Sequence, residues 1–154
     1  MRLVCFFIIS CDMLYSYDIF EECAENGWDY GYMLVNQEDA SVVSGLWDVA
    51  KAYSKGHARH KKFVQKLEKN GEWSRDMFYT NFEVSSLAFW RSEEYASFFR
   101  AIDLSEGIYR HRWGDAPIHH LAVSLLLPEA RTHRFRDIGY WHQVCTLLWC
   151  WPWW

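Results

Sequence analysis

Leu3-Val4-Cys5-Phe6-Phe7-Ile8-Ile9 is an unbroken apolar run with Arg2 before it and Ser10 after it. Read alone it imitates a signal peptide, but it is far shorter than the roughly 20 apolar residues that carry a helix across a bilayer. It reads instead as a buried strand of a parallel sheet, and no transmembrane span is expected in this chain. Next, Tyr17 to Asn26 has the composition of a short helix, with Asp18 near its start and Gly27 just past its end, and Tyr30 to Val35 reads as a second strand. Strand, helix, strand is how a layered α/β domain begins.

The alternation continues. Ala40 to Ser54 places Val43, Leu46, Trp47, Ala50 and Tyr53 at helical spacing and is closed by Gly56. His60 to Asn70 reads as a polar surface helix with Phe63, Val64 and Leu67 as its apolar stripe, ended by Gly71. Asp76 to Glu83 reads as one short extended piece that delivers polar side chains to its end. Ser92 opens a helix through Ile102, and Gly107 breaks the chain. A further helix is expected from Pro117 through Leu127, apolar around most of its circumference and therefore buried.

Composition narrows the function classes. The 154 residues are 51% apolar, ample for a core, and 19% aromatic with ten Trp. Wide aromatic faces suit dense cores and sugar-binding clefts alike. A net charge of −4 gives no field that would draw in a nucleic-acid backbone. The five cysteines, Cys5, Cys11, Cys23, Cys145 and Cys150, form an odd set without CxxC spacing, so neither a zinc ribbon nor a closed disulfide set follows. Leu147 to Trp154 is too apolar for a free tail and too short to span lipid.

Three places could hold chemistry. The densest polar cluster runs from Arg110 through Trp113-Gly114-Asp115 to His119-His120. Asp115 reads there either as the N-cap of the next helix or as an active-site carboxylate. Glu83, in Asn81-Phe82-Glu83, is either a surface glutamate or a carboxylate at a strand end, where ligands of open α/β sheets bind. His142 follows the aromatic loop Gly139-Tyr140-Trp141 and is either an ordinary hydrogen-bonded histidine or a ligand. His57 and His60 lack cysteine partners and are assigned no metal.

Four blocks in order decide among these. Thr80-Asn81-Phe82-Glu83-Val84, Phe89-Trp90-Arg91-Ser92-Glu93-Glu94-Tyr95, the run from Tyr109 through Arg112-Trp113-Gly114-Asp115-Ala116-Pro117-Ile118-His119, and Asp137-Ile138-Gly139-Tyr140-Trp141-His142 stand in sequence. They resemble the SNFEI, FFRSEAY, YERWGDAPVH and DIGYxH stretches of the fungal glycolipid 2-alpha-mannosyltransferases (alpha-1,2-mannosyltransferases, glycosyltransferase family 15). Upstream, Cys11-Asp12 with Tyr17-Asp18-Ile19-Phe20 is similar to the family's CDIDYDxF segment, and Tyr30-Gly31-Tyr32 to its YGF strand. The likeness runs from about Cys11 to His142.

That resemblance implies an α/β fold, a partial GT-A-like (nucleotide-diphospho-sugar transferase) mixed sheet with flanking helices. Residues 1–142 would form part of the catalytic domain, its C-terminal portion, and 143–154 an atypical Trp-rich tail. The implied activity is retaining transfer of mannose from GDP-mannose to a mannoside acceptor glycan, with manganese. By position Glu83 matches the catalytic nucleophile, Asp115 an active-site carboxylate and His142 a metal ligand. The second metal ligand, from an acidic EPDV-like motif, is expected to be missing, with Leu3 to Phe7 in its place. The implied setting is the Golgi lumen, in a type II membrane protein whose anchor this chain lacks. The alternatives are a non-catalytic remnant of such an enzyme acting as a binding protein, and an unrelated sugar-binding module built on the tryptophans.

Overall fold

The computed structural model describes residues 3–7, 17–138, 140–142 and 145–147, with side chains for 17–138. The first apolar run gives strand β1 (Leu3–Phe7), and helix α1 (Ile19–Asn26) follows. The Asp18 side chain accepts from the backbone N–H groups of Phe20 and Glu21, and Gly27 closes the helix at φ 68. These satisfy orphan groups at both helix ends, which is why so short a helix holds.

The segment read as a second strand divides into β2 (Tyr30–Tyr32) and β3 (Val35–Gln37). Beyond a 3-10 turn, α2 (Leu46–Ser54) starts after Gly45, whose φ of 75 ends the helical path that the apolar spacing alone continues back to Ala40. Helix α3 (His60–Leu67) is amphipathic as expected, yet Phe63 and Leu67 are fully buried rather than at the surface. The chain then turns through Asn70 and Gly71, both at positive φ, into a small hairpin of β4 (Glu68–Lys69) and β5 (Glu72–Trp73). Gly71 therefore closes a turn between strands, not a helix.

Asp76 to Glu83 likewise divides, into β6 (Asp76–Phe78) and β7 (Phe82–Ser86). Short α4 (Leu87–Trp90), α5 (Glu93–Leu104) and α6 (Gly107–His111) follow, with the Ser92 hydroxyl accepting from Tyr95 N–H at the start of α5. Helix α7 (Asp115–Leu126) buries Ile118, Leu121, Ala122, Val123, Leu125 and Leu126, and β8 (Thr132–Arg134), β9 (Tyr140–His142) and β10 (Cys145–Leu147) complete the chain. Apart from the backbone of Cys145–Leu147, paired with β9, the Trp-rich tail lies outside the described residues.

The main sheet runs β1-β7-β2-β8. Strand β7 is antiparallel to β1 and to β2, and only β2 and β8 are parallel. The sheet is mixed, with flanking helices, as expected for the chain as a whole. The expectation that β1 lies in a parallel sheet is corrected: an unbroken apolar run reports burial on both faces, and strand direction has no signature in it.

Two cores occupy the sheet's two faces. Ile19 and Cys23 of α1 pack with Phe82, Val84, Phe135 and Ile138 on one face. On the other, Tyr30 and Phe78 join α2, α5 and α7 through Leu46, Phe98, Ile102, Leu121 and Leu125. Each fully buried large side chain contributes about 1.5–3 kcal/mol. The Cys23 thiol is free, and burial pushes it up to about 11.

Candidate active site

Strand β7 reads Phe82-Glu83-Val84-Ser85-Ser86, and all five residues are buried. Side chains alternate along a strand, so Phe82 and Val84 enter the α1 core while Glu83 and Ser85 leave the opposite face. Tyr30 lies across from Ser85 and Tyr32 across from Glu83, which brings both tyrosines to that polar face. A carboxylate directed into a covered sheet face breaks the usual rule of apolar residues inside, and such departures concentrate at functional sites.

Glu83 has no exposed surface. Its Oε2 accepts the Tyr30 hydroxyl at 2.8 Å and lies 3.1 Å from His119 Nδ1. Oε1 has no hydrogen-bond partner among the described residues. Leaving a buried polar atom unpaired costs about 1–3 kcal/mol, and more for a charged one, so this oxygen stands ready for a group that the described residues do not supply. Burial first, then the charge and hydrogen bond of Glu83, hold the Tyr30 phenol well above its ordinary value, with Asp115 adding to the effect. Tyr30 thus remains a donor. Tyr95 is pushed up to about 12, by burial and then by Glu83.

His119 belongs to α7, one turn after Asp115, so the two share a helix face. Asp115 is exposed, and Gly114 rather than Asp115 occupies the N-cap. The capping interpretation of Asp115 is thereby corrected to the first helical position, where its charge still suits the positive end of the helix. The paired histidines diverge. His120 is buried, donates from Nδ1 to the Asp76 carbonyl and meets the Phe78 ring edge-on with centroids 4.4 Å apart. Burial lowers it to about 4, so it stays neutral.

The structure brings Glu83, Tyr30 and His119 together, and Asp115 close enough for its charge to act on Tyr30. His142 falls on β9, and its side chain lies outside the described residues. Arg110 pairs with Glu106 at the surface and exposed Arg112 ends α6 at φ 60, so neither arginine of that cluster joins the carboxylate. His60 Nδ1 bonds the Ser54 hydroxyl at 2.7 Å, and the backbone N–H of Arg59 donates to His57.

Sequence reasoning missed Tyr30 and His119 as partners of Glu83. A signal existed in the alternation of β7, which sets Glu83 and Ser85 apart from Phe82 and Val84. Among the described residues no three His, Cys, Asp or Glu side chains converge on a metal-sized site. These residues therefore do not by themselves fit a manganese ion, and no chemical step is routed through one.

The sequence profile described as Glycolipid 2-alpha-mannosyltransferase matches residues 1–150. The chain is 37% identical to Glycolipid 2-alpha-mannosyltransferase 1 of Candida albicans, over 88% of this chain and 32% of that protein. It is 34% identical to the O-glycoside alpha-1,2-mannosyltransferase omh1 of Schizosaccharomyces pombe, over 86% of this chain and 35% of the relative. Among solved structures it resembles the mannosyltransferase Ktr4p from S. cerevisiae in complex with GDP, at a TM-score of 0.75 and 29% identity, over 91% of this chain and 37% of that one. The Mn/GDP form of core-mannan synthase A from Aspergillus fumigatus gives 0.73 and 26%, over 91% and 40%. The chain thus spans about a third of the length of the curated relatives it matches. Over that span it belongs to the glycolipid 2-alpha-mannosyltransferase family.

Proposed function

We propose that this chain contributes the nucleophile side of a retaining alpha-1,2-mannosyltransferase that moves mannose from GDP-mannose to a mannoside hydroxyl. The observation that carries this reading is the buried Oε1 of Glu83, which has no hydrogen-bond partner among the described residues. In the first step a lone pair of Oε1 attacks the anomeric carbon. The bond from that carbon to the diphosphate oxygen breaks, and GDP leaves with the electron pair. In the second step the acceptor oxygen attacks the same carbon, the glycosyl–Glu83 bond breaks, and the carboxylate is restored. Two inversions give net retention.

Asp115 is assigned the acceptor side, positioning the hydroxyl or taking its proton as the glycosidic bond forms. His142 is assigned as this chain's contribution to a metal site. A manganese ion held there would supply positive charge beside a diphosphate, and its tolerance of imidazole alongside oxygen ligands suits a histidine. Support for the donor comes from relatives named as mannosyltransferases and from neighbours solved with GDP. The setting assigned is the secretory pathway, in the Golgi lumen. Among the described residues no helix is long and apolar enough to cross a membrane.

The test is mannose transfer by the purified chain from GDP-mannose to methyl α-mannoside, with Glu83→Gln alongside. A drop of about 10²–10⁴-fold in kcat, with the product α-linked by NMR, supports the reading. Transfer by Glu83→Gln at the wild-type rate overturns it. A folded wild-type chain that neither transfers mannose nor binds GDP, with or without manganese, favours the binding remnant.

A further inference from the structure

A closed ring of contacts ties Glu83 back to its own strand. Glu83 and Ser85 are two residues apart on β7, so their side chains share a face. Glu83 Oε2 meets His119 Nδ1 at 3.1 Å. The His119 imidazole lies against the Trp90 indole, centroids 4.4 Å apart and planes tilted by 35°. Trp90 Nε1–H then donates to Ser85 Oγ at 2.7 Å. Tyr30 braces the ring from the side, with its hydroxyl on Glu83 and its own ring edge-on to Trp90 at 6.1 Å.

Packing alone does not call for this. Apolar residues at positions 85 and 119 would fill the same space without burying polar groups. What the ring accomplishes is orientation. Ser85 fixes the indole, the indole fixes the plane of the imidazole, and the imidazole fixes one carboxylate oxygen. A carboxylate acting as nucleophile only accepts, so the reading of Glu83 as nucleophile places the proton of this contact on Nδ1. That choice leaves Nε2 as the acceptor nitrogen whenever the ring is neutral.

We propose that His119, held by Trp90 and Ser85, is a positioning residue that donates Nδ1–H to Oε2 of Glu83 and thereby keeps Oε1 as the oxygen facing the reacting carbon. The inference rests on the reading of Glu83 as nucleophile. Misplacing a reacting atom by about 1 Å costs on the order of 10²-fold in rate, so the effect belongs in kcat. The donor touches neither His119 nor Ser85 in this scheme, so KM for GDP-mannose should be little changed.

Two experiments test it. In the transfer assay, His119→Phe keeps a ring against Trp90 but has no donor, whereas His119→Asn places an amide N–H near the position of Nδ1. The expected result is a fall of about 10²-fold in kcat for His119→Phe, KM within about twofold, and recovery of most of the loss in His119→Asn. Wild-type kcat in His119→Phe, or no recovery in His119→Asn, overturns the inference. Glu83→Gln run in parallel separates the two readings: if it stays active, the nucleophile assignment fails, and if it is dead while His119→Phe is unimpaired, only the positioning role fails. Independently of turnover, ¹⁵N-resolved NMR of the wild-type imidazole should show a protonated Nδ1 whose resonance moves in Glu83→Gln. An unprotonated Nδ1 overturns the proposal.

Discussion

Tyr30 on β2 donates its hydroxyl to Glu83 on the neighbouring strand at 2.8 Å, from a diagonal position across the antiparallel register. The two residues are 53 apart in sequence and are joined only because β2 pairs with β7. A hydrogen bond to a buried charged group contributes about 1.5–3 kcal/mol, which is about tenfold to a hundredfold in an equilibrium or a rate. Tyr30→Phe, which removes only the hydroxyl, is expected to lower kcat for mannose transfer within that range while the chain remains folded. With the phenol held well above its ordinary value, Tyr30 itself should produce no fall in activity between pH 7 and about 10. A wild-type rate in Tyr30→Phe would remove Tyr30 from the site.

His120 carries a prediction about stability rather than activity. Its pKa is lowered from 6.5 to about 4, by burial first and by Lys66 to a smaller degree, against the opposing pull of the Asp76 carbonyl and carboxylate. The unfolded chain binds a proton near pH 6.5, and the folded chain binds it only near 4. As the pH falls through that window the unfolded state gains the proton and the fold loses stability; above it the contribution is fully present. The loss by pH 4 is on the order of 3 kcal/mol, at about 1.36 kcal/mol per unit. Urea titrations at pH 7 and pH 4.5 should show this drop in the wild type. His120→Asn keeps an N–H for the Asp76 carbonyl but cannot titrate, so its drop should be smaller. Equal drops in both proteins would mean that other groups dominate acid unfolding.

Two glycines lie under aromatic plates. A Cβ at Gly31 would come 2.5 Å from the Phe135 ring, and one at Gly107 would come 2.3 Å from Trp113. Phe135 and Trp113 are both buried, and the Trp113 indole also donates to the Ser44 carbonyl at 2.9 Å, so neither ring swings away freely. Gly31→Ala and Gly107→Ala are each expected to cost about 1–3 kcal/mol through overpacking. In a chain of this size that lowers Tm by roughly 2–4 °C per kcal/mol. An unchanged Tm in Gly107→Ala would show that the Trp113 loop repacks, and that the aromatic of this block does not anchor Asp115.

How far the sequence could be read follows from where each signal resides. Asp18, Gly27 and Ser92 mark helix ends because the capping chemistry is local. The wrapped apolar positions of α7 correctly announce burial. The strands fared differently. Tyr30 to Val35 reads as one strand but serves two sheets, since Tyr32 pairs with Glu83 while Val35 pairs with Phe78, and no local property marks the change of partner. Helical spacing runs smoothly from Ala40 to Ser54 although Gly45 interrupts it, because periodicity does not register a single left-handed residue. At the candidate site, the motif singles out Glu83 for attention, whereas His119 lies 36 residues away and meets it only by helix-on-sheet packing.

Asp115 offers the sharpest separation of structure from chemistry. It is exposed at the first turn of α7, where a negative charge contributes about 0.3–1 kcal/mol through the helix dipole. A residue serving only that purpose would lose no more than this on neutralisation, and mannose transfer would be unaffected. Its charge nevertheless acts on Tyr30, the donor to Glu83, so Asp115 shares the electrostatic environment of the carboxylate. Asp115→Asn is therefore expected to shift Tm by no more than a few degrees and to lower kcat by about 10²–10⁴-fold, the range of a lost general base. The Tyr30 phenol should also titrate at lower pH in this variant, because a nearby negative charge has been removed. If turnover survives while Tm falls, Asp115 is a helix-terminal charge and the acceptor's proton must leave by another route.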